Sequence, residues 1–572
     1  MRKGWWWLLV PVLFSCSPSP QEMQAQVEGY LKSYNAQFKE LAYAVALAEW
    51  DLNTKIVEGD TTNAAAAQAA KQAFSEFAGS TENIEKARSF LQKREQLTPL
   101  QVLQLEKVLY NAADAPQTIP AVVKERIAAE TAQTEKLFGF TFKVDDKPVT
   151  TAQIDEALRS SRDLNERLKM WEASKEVGKT LKDGLANLQR LRNQTVQALG
   201  YSDYFSYQVS DYGMSKEEMM ALMAQLNREL RPLYRELHTY ARYTLAQQYG
   251  QPVPRELPAH WLPNRWAQDW SPMVTVTGFD LDGVLRAKSP EWIMQQAERF
   301  YISLGFNPLP QSFWEKSSLY PLPADSPFKK NNHASAWHMD YENDLRSLMS
   351  VEPNTEWYET THHELGHVYY YMCYTNGEVP LLLREGANRA YHEAIGSMLG
   401  LASMQKPFVE AIGLMASTGK SDDTQALLKE ALNYIVFIPF SAGTMTSFEH
   451  DLYAGNLPKE QYNQRWWELV QKYQGVVPPS ARGEEYCDAA SKTHINDDAA
   501  QYYDYALSFV ILFQLHDHIA TKILQQDPHA TNYYGNAEVG KFLDSIMRPG
   551  ASRNWREVLR EKTGEDLSAR AM

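Results

Sequence analysis

The stretch "THHELGHVYY", residues 361–370, holds the side chains with the clearest potential for chemistry. His363 and His367 are four residues apart, so on a helix both imidazoles project from one face, and Glu364 lies between them in sequence. Two neutral imidazoles can hold a zinc ion while the neighbouring carboxylate takes a proton from a water molecule. This HExxH pattern predicts a zinc hydrolase with Glu364 as general base. The alternative is a helix that merely exposes two histidines.

A catalytic zinc needs a third protein ligand and one open coordination position. Gly377 and Pro380 predict the end of the first helix, and the apolar spacing of "YHEAIGSMLGLASM" predicts a second one. An antiparallel return of the chain would bring Glu393 opposite the histidines. Glu385 and His392 are rival candidates. Glu385, at the turn, could instead support a ligand or form an ion pair.

The elements that must position these groups are predicted to be helices. Apolar residues recur at three- and four-residue spacing over residues 27–55 and 165–199, which indicates two long amphipathic helices. The alanine-rich segment "NAAAAQAAKQA" also favours a helix. Strand-like alternation is limited mainly to "FTFKV" at 140–144 and "MVTVTGF" at 273–279. We therefore predict a mainly α fold class.

The composition indicates a folded protein that does not bind nucleic acid. Of its 572 residues, 44% are hydrophobic and 22% are charged, which is close to the globular average. Disordered and fibrous classes are therefore excluded. The formal net charge of −14 argues against a nucleic-acid partner, because such proteins use clustered Lys and Arg to displace counterions.

The N-terminus has the pattern of a secretory signal. Arg2 and Lys3 precede an apolar run that ends just before Cys16, and the run is too short to span a bilayer permanently. The letters "LFSC" resemble a bacterial lipobox, in which a peptidase cuts before the cysteine and the cysteine receives lipid. The alternative is a simple signal peptide with an incidental cysteine. We expect an exported protein that is lipid-anchored at Cys16 in a bacterial envelope, at the periplasmic face or the cell surface.

Several blocks in the same order resemble the angiotensin-converting enzyme family of peptidyl-dipeptidases. The blocks are "AEWDLNTK" at 48–55, "WAQDW" at 266–270, "HASAW" at 333–337, "HHELGH" at 362–367, "LREGANRAYHEAIG" at 383–396, "FIPFS" at 437–441, "WWELVQKYQG" at 466–475 and "SKTHIN" at 491–496. The resemblance covers nearly all of the mature chain. It implies an ellipsoidal, mainly helical zinc metallopeptidase with a deep central groove that N-terminal helices cover.

The resemblance also implies roles for individual side chains at the reaction centre. It implies one catalytic Zn²⁺ ion with three ligands: His363, His367 and Glu393. Glu364 would be the general base and later the proton donor. His494 and Tyr505 match the pair that donates hydrogen bonds to the tetrahedral intermediate, and such preorganised donors stabilise developing negative charge.

A second group of residues resembles the family's peptide-binding positions. Gln268, Lys492 and Tyr502 match the residues that bind the terminal carboxylate of the substrate. Their distance from the zinc would select the release of C-terminal dipeptides from oligopeptides with a free C-terminus. His333 and Ala334 match the strand-like edge that holds the peptide backbone.

The sequence departs from the family pattern at several positions. Ser397 stands where an aspartate normally supports a zinc histidine, which would cost about 10- to 100-fold in metal affinity or activity unless another acceptor substitutes. Asp504 and Val470 stand where animal members have chloride-binding arginines, so we expect little or no chloride activation at those sites. Asn332 and Met349 replace a pair of cysteines. None of these changes removes a catalytic group.

We expect three segments: a signal peptide at 1–15, a tether at 16–22 and a single peptidyl-dipeptidase A-like metallopeptidase domain at 23–572. The remaining cysteines, Cys373 and Cys487, are too few for a disulfide framework, and whether they pair stays open. We expect a monomer.

Alternative functions stay open at this point. A carboxypeptidase or an oligopeptidase could use the same site, and Ser397 prompts the idea of a catalytically decayed peptide-binding lipoprotein. A purely structural lipoprotein does not account for so many polar groups within apolar helices.

Overall fold

A computed structural model describes residues 19–276, 281–415 and 422–572. Over these ranges the protein is mainly α, which confirms the predicted fold class. The α-helices are α1 Pro20–Thr54, α2 Thr62–Ala78, α3 Thr81–Leu91, α4 Pro99–Asp114, α5 Pro120–Phe138, α6 Thr151–Ser160, α7 Leu164–Gln197, α8 Tyr204–Ser210, α9 Lys216–Tyr249, α10 Asp282–Leu285, α11 Pro290–Ser303, α12 Gln311–Lys316, α13 Thr355–Tyr374, α14 Arg389–Met404, α15 Lys406–Ala411, α16 Asp423–Ile438, α17 Thr446–Tyr453, α18 Tyr462–Gln474, α19 Thr493–Asp497, α20 Tyr503–His518, α21 Ala537–Met547 and α22 Trp555–Thr563. The two long helices predicted from apolar spacing are α1 and α7, and the alanine-rich segment lies in α2.

The strands are short and form three separate pairs in the described part of the chain. They are β1 Phe142–Val144, β2 Lys147–Val149, β3 Leu257–Pro258, β4 Ser335–His338, β5 Leu345–Leu348 and β6 Val476–Val477. The pairs β1–β2 and β4–β5 are antiparallel, whereas β3 and β6 are parallel. The predicted strand in "FTFKV" is β1.

The strand predicted at 273–279 is wrong over residues 273–276. The amides of Met273 and Val274 donate to the carbonyls of Trp270 and Ser271, both at 3.0 Å. This turn uses backbone groups that a ladder would need, and no strand is assigned to these residues. Residues 277–279 lie outside the described part of the chain.

Helix α1 begins at a strong N-terminal cap. The Ser19 hydroxyl accepts from the amide of Glu22 while the Glu22 carboxylate accepts from the amide of Ser19, and Pro20 occupies the first helical position. The helix therefore starts within the segment expected to be a tether. Residues 1–18, with the predicted lipidation site Cys16, lie outside the described residues. Among the helices that are described, none is long and apolar enough to cross a bilayer.

Helix α1 contributes to a hydrophobic cluster that is separate from the main core. Val27, Leu31, Tyr34 and Phe38 pack with buried residues of α3 and α4. The main core runs through the rest of the molecule, and in it α14 packs against both α13 and α20. These three helices carry most of the residues predicted to act in catalysis. The two described cysteines, Cys373 and Cys487, are buried and unpaired.

Candidate active site

Helix α13 carries the HExxH residues on a buried helix with well-defined ends. At its start the Asn354 side chain accepts from the amide of Trp357 at 2.8 Å, which satisfies one of the free amides of the first turn. The helix ends at Tyr374, before Gly377, as the sequence predicts. Burying the polar groups of this helix is costly unless they find partners.

The crossing of α13 and α14 is unusually close because glycines face each other there. A Cβ added at Gly366 would lie 2.9 Å from the Cα of Gly396, and one added at Gly396 would lie 3.1 Å from His363 Cε1. Only hydrogen fits on both sides of this contact. The close crossing brings Glu393, one turn before Gly396, to the histidines.

The structure brings His363, His367 and Glu393 together as one group of three metal-ligand types. Their ligand atoms all lie within 4.8 Å of one another. The two Nε2 atoms are 3.1 Å apart, and the Glu393 carboxylate oxygens lie 3.8 Å from His363 Nε2 and 3.9 Å from His367 Nε2. Two imidazoles and one carboxylate are a donor set that suits a catalytic zinc ion, so these residues fit the metal.

The rival ligand candidates have other partners. Glu385 pairs with Lys107 at 2.6 Å and so forms the ion pair that the sequence left open. His392 lies behind the site, where its Nδ1 is 2.9 Å from Nδ1 of His367. Only one of these two nitrogens can carry the shared hydrogen, so the contact fixes the orientation of the His367 ring.

Ser397 stands behind the other histidine. Its hydroxyl lies 3.4 Å from Nδ1 of His363, a long hydrogen bond to a neutral partner. An aspartate there would supply a charged acceptor, so the support of His363 is weaker than in the family pattern.

Burial sets the protonation of this group. It lowers the pKa of His363 to about 4 and that of His367 well below its usual value, where His392 and His363 add to the effect. Both imidazoles are therefore neutral near pH 7, which is the form that binds metal. Burial, together with the charge of Glu393, raises the pKa of Glu364 to about 8. The Glu364 Oε2 atom is buried and has no hydrogen-bond partner among the described residues.

His494 of α19 and Tyr505 of α20 lie next to each other. The His494 Nε2 atom is 3.2 Å from the Tyr505 hydroxyl, so the two predicted hydrogen-bond donors are in contact. Burial lowers the pKa of His494 to about 4, with a further contribution from Lys492. Both side chains remain partly accessible.

The three residues predicted to bind a terminal carboxylate also form one cluster. Lys492 Nζ donates to Gln268 Oε1 at 3.0 Å, and the Tyr502 hydroxyl donates to the same oxygen at 3.4 Å. The Lys492 ammonium lies 4.4 Å from the centre of the Trp266 ring. Burial lowers the pKa of Lys492 to about 7, with a further lowering by the charge of Arg265 that Asp497 partly opposes.

His333 and Ala334 precede strand β4. His333 is exposed, and its Nδ1 lies 2.8 Å from the carbonyl of Ala334. Burial raises the pKa of Glu393, and the nearby side chains of Arg389 and His333 oppose part of that shift. The Tyr371 hydroxyl donates to the carbonyl of Ala336 at 3.2 Å, which holds the strand against α13.

Three of the other departures from the family pattern are buried, whereas Asn332 is exposed. Asp504 accepts a hydrogen bond from the Tyr212 hydroxyl, and burial raises its pKa to about 7. Val470 and Met349 are core residues. The Met349 carbonyl accepts from the Lys330 ammonium. The expected lack of chloride activation stays a prediction.

Comparison with known proteins identifies the family. The Peptidase M2 model, described as Angiotensin-converting enzyme, matches residues 20–572. The chain belongs to the angiotensin-converting enzyme family. The match includes α13 and α14, so the three candidate ligands lie within the family domain.

Individual members of the angiotensin-converting enzyme family are similar over most of this chain. The Angiotensin-converting enzyme-like protein Ace3 of Mus musculus is 33% identical over 447 residues, which is 75% of this chain and 60% of the mouse protein. The Angiotensin-converting enzymes of Mesocricetus auratus and Oryctolagus cuniculus are each 34% identical over 73% of this chain and 32% of their own length. The chain thus spans less than two thirds of these relatives.

The sequence gives little indication of the roles of two residues at the site. Trp266 lies within "WAQDW", but nothing in its spacing indicates that its ring contacts Lys492. Arg389 lies one turn before Glu393 on α14, and that spacing was the available signal. Its partners lie more than a hundred residues further along the chain, so only the fold reveals them.

Proposed function

We propose that this protein is a zinc-dependent peptidyl-dipeptidase that releases C-terminal dipeptides from oligopeptides. The observation that carries the proposal is the joining of His363, His367 and Glu393 within 4.8 Å, with Glu364 buried beside them. A zinc ion held there would supply Lewis acidity to the scissile carbonyl and to a water molecule.

The protein's own groups then move the protons. Glu364 accepts the proton of the attacking water and later donates it to the leaving amine. The unpartnered Oε2 atom of Glu364 supports this role, because a buried carboxylate oxygen without a hydrogen bond is free to take a proton. Tyr505 and His494 donate hydrogen bonds to the oxyanion as it develops.

The cluster of Gln268, Lys492 and Tyr502 supports the release of two residues at a time. An ammonium ion with two neutral partners suits a terminal carboxylate, and this cluster would act as a fixed stop for the end of the peptide. Peptides without a free C-terminus would lose this anchor. Ala334 would hold the peptide backbone beside β4.

Mass spectrometry of products from an unbiased peptide pool, with and without a chelator, tests how many residues each cleavage releases. We expect dipeptides from C-terminal ends only, and no products after chelation. Single residues would instead favour a carboxypeptidase, and internal fragments an oligopeptidase. Binding of peptides by the zinc-loaded protein with no cleavage would favour the decayed binding lipoprotein.

We also propose that Cys16 is lipidated and anchors the protein in a bacterial envelope. Several acyl chains on one cysteine anchor a protein durably, since each buried CH₂ contributes about 0.8 kcal/mol. The experiment is metabolic labelling with a palmitate analogue. Label should appear in the native chain and be lost in Cys16→Ser, whereas label in both would refute the assignment. We further propose a monomer, which sedimentation of the protein without its first 18 residues would test.

A further inference from the structure

Arg389 forms an ion cluster beside the reaction centre. Its guanidinium donates two parallel hydrogen bonds to the carboxylate of Asp498, at 2.9 and 2.8 Å. Its Nε atom lies 3.5 Å from an oxygen of Asp504. The same guanidinium lies 5.9 Å from the centre of the Tyr505 ring. One arginine thus contacts both acids that flank the segment before Tyr505.

This cluster connects two parts of the site that are remote in sequence. Arg389 is four residues before Glu393 on α14, so both side chains lie on one face of that helix. Asp498 follows α19, which carries His494, and Asp504 immediately precedes Tyr505 in α20. The ion cluster therefore joins the helix of the third zinc ligand to both ends of segment 498–504, which leads from the helix of His494 to Tyr505.

The segment from 498 to 504 is also held from other sides. The side-chain amide of Gln501 donates to the carboxylate of Asp498 at 3.1 Å. Ala500 has a φ of +61°, which is unfavourable for a residue with a Cβ. Its backbone amide donates to the buried Glu449 carboxylate at 2.7 Å. Asp504 accepts from the Tyr212 hydroxyl. A strained backbone of this kind persists only where the surroundings over-determine it.

We infer that Arg389 is a positioning residue for Tyr505: its guanidinium, clamped by Asp498 and Asp504, fixes the Tyr505 hydroxyl against the helix that carries Glu393. The inference rests on the proposed role of Tyr505. A planar guanidinium with a two-pronged contact to Asp498 and a third contact to Asp504 leaves little freedom for the segment between these acids. Tyr505 is the next residue after Asp504, so its ring direction follows from that restraint.

The physical consequence is an effect on catalysis that exceeds the effect on stability. The Arg389 side chain is 41% exposed, so its pair with Asp498 contributes little to folding, whereas its contact with Asp504 reaches a buried carboxylate. A donor displaced by about 1 Å, in contrast, can reduce turnover by about 100-fold. Loss of the clamp should therefore lower kcat, with KM nearly unchanged, because Tyr505 acts on the transition state.

The experiment uses a double-mutant cycle in the zinc-loaded full-length protein. The variants are Arg389→Met, Tyr505→Phe and both together. Arg190→Met is the matched control, because Arg190 is similarly exposed and pairs with Glu125 at 2.6 Å away from the site. For each protein one measures kcat and KM, zinc content, thermal midpoint and the affinity for a phosphonate peptide that mimics the tetrahedral state.

We expect Arg389→Met to lower kcat by about 10- to 100-fold and to weaken phosphonate binding by a similar factor. Zinc content should match that of Arg190→Met, and the thermal midpoint should lie only slightly below it, because the buried Asp504 keeps its hydrogen bond from Tyr212. In the Tyr505→Phe background the same substitution should cost less than threefold, because the group it positions is gone. Arg389→Lys should recover only part of the activity, since an ammonium cannot make the two-pronged contact.

Two results would separate failure of the inference from failure of the proposed function. An equal loss from Arg389→Met with and without the Tyr505 hydroxyl would overturn the inference while leaving the role of Tyr505 intact. An unchanged kcat in Tyr505→Phe alone would instead remove Tyr505 from the proposed mechanism. Loss of zinc from Arg389→Met would also overturn the inference, because it would show that the cluster acts on Glu393.

Discussion

Gly366 and Gly396 face each other where the helix of the two histidines crosses the helix of Glu393. A Cβ at Gly366 would lie 2.9 Å from the Cα of Gly396, a distance that real Cβ atoms do not show. The clashing atom belongs to the backbone of Gly396, so no side-chain rotation can relieve the contact. The geometry of the candidate zinc ligands therefore depends on two residues that have no side chain to bind metal.

The first prediction concerns this contact. Gly366→Ala should push α13 and α14 apart and weaken zinc binding by about 10- to 100-fold, in the range seen when the support of metal ligands is lost. Overpacking of this kind should also lower the free energy of unfolding by about 1–3 kcal/mol. Competition with a chromogenic chelator measures the affinity, and thermal unfolding measures the stability.

Gly29→Ala is the matched control for that substitution. Gly29 lies within helix α1 and an added Cβ would meet nothing within 4 Å, so alanine should be neutral or slightly stabilising there. Zinc affinity in Gly366→Ala equal to that of the control would show that the close crossing does not position the ligands.

The second prediction concerns Glu364. Glu364→Gln keeps the size of the side chain but cannot accept a proton, so kcat should fall by about 10²- to 10⁴-fold. Zinc content should stay at one ion per chain, because the three ligands are untouched. Turnover close to that of the native protein would remove Glu364 as the base, and loss of zinc would instead assign it a role in metal binding.

Local patterns predicted the mainly α fold and two of the three candidate zinc ligands well. Apolar spacing predicted α1 and α7, because the helix period depends on neighbouring residues only. His363 and His367 were paired for the same reason. The strand proposed at 273–279 was wrong over 273–276, because Val and Thr alternation does not supply the distant partner that a strand needs.

The remaining parts of the site depend on contacts between distant segments. Spacing alone left Glu393, Glu385 and His392 as alternatives, and the family resemblance implied Glu393. The physical reason for that choice is the close approach at Gly396 and the pairing of Glu385 with Lys107. Apart from its spacing from Glu393, the sequence gives no indication that Arg389 acts at the site, because its partner Asp498 is 109 residues away in sequence. Helix periodicity carries no information about such pairs.

The third prediction concerns the anchor for the substrate terminus. Lys492→Met should raise KM for peptides with a free C-terminus by about 10- to 100-fold, because one charge-assisted hydrogen bond is lost. C-terminally amidated peptides of the same sequence should change by less than threefold. Steady-state kinetics on the two peptide forms measures both values. A similar loss on both forms would contradict the proposed contact with the carboxylate.

The fourth prediction concerns pH. Burial lowers the pKa of Lys492 to about 7, so its ammonium is charged below that pH and neutral above it. Binding of a carboxylate needs the charged form, so kcat/KM for free-acid peptides should fall as pH rises through about 7. The ratio of free-acid to amidated kcat/KM isolates this effect, because Glu364 titrates in both reactions.

Lys492→Arg provides the control for the pH profile. A guanidinium stays charged over the whole range, so the fall of the ratio above pH 7 should disappear even if the absolute rates are lower. A ratio that still falls in Lys492→Arg would assign the titration to another group.

The fifth prediction concerns Trp266, whose ring is close to three basic side chains. Lys492 Nζ and Arg265 Cζ both lie 4.4 Å from the ring centre, and Lys175 Nζ lies 4.9 Å from it. The face of an indole attracts an ammonium ion by about 0.5–2 kcal/mol. Trp266→Leu should therefore raise KM for free-acid peptides about 2- to 30-fold and move the fall in the pH ratio to a lower pH.

Trp292→Leu is the matched control, because Lys288 Nζ lies 4.9 Å from that ring at the start of α11. It removes a comparable contact between a lysine and an indole without touching Lys492. The test is the pH at which the ratio of free-acid to amidated kcat/KM falls. Lost packing at Trp266 would slow both peptide forms without changing that pH. An unchanged ratio in Trp266→Leu would show that the indole does not stabilise the Lys492 charge.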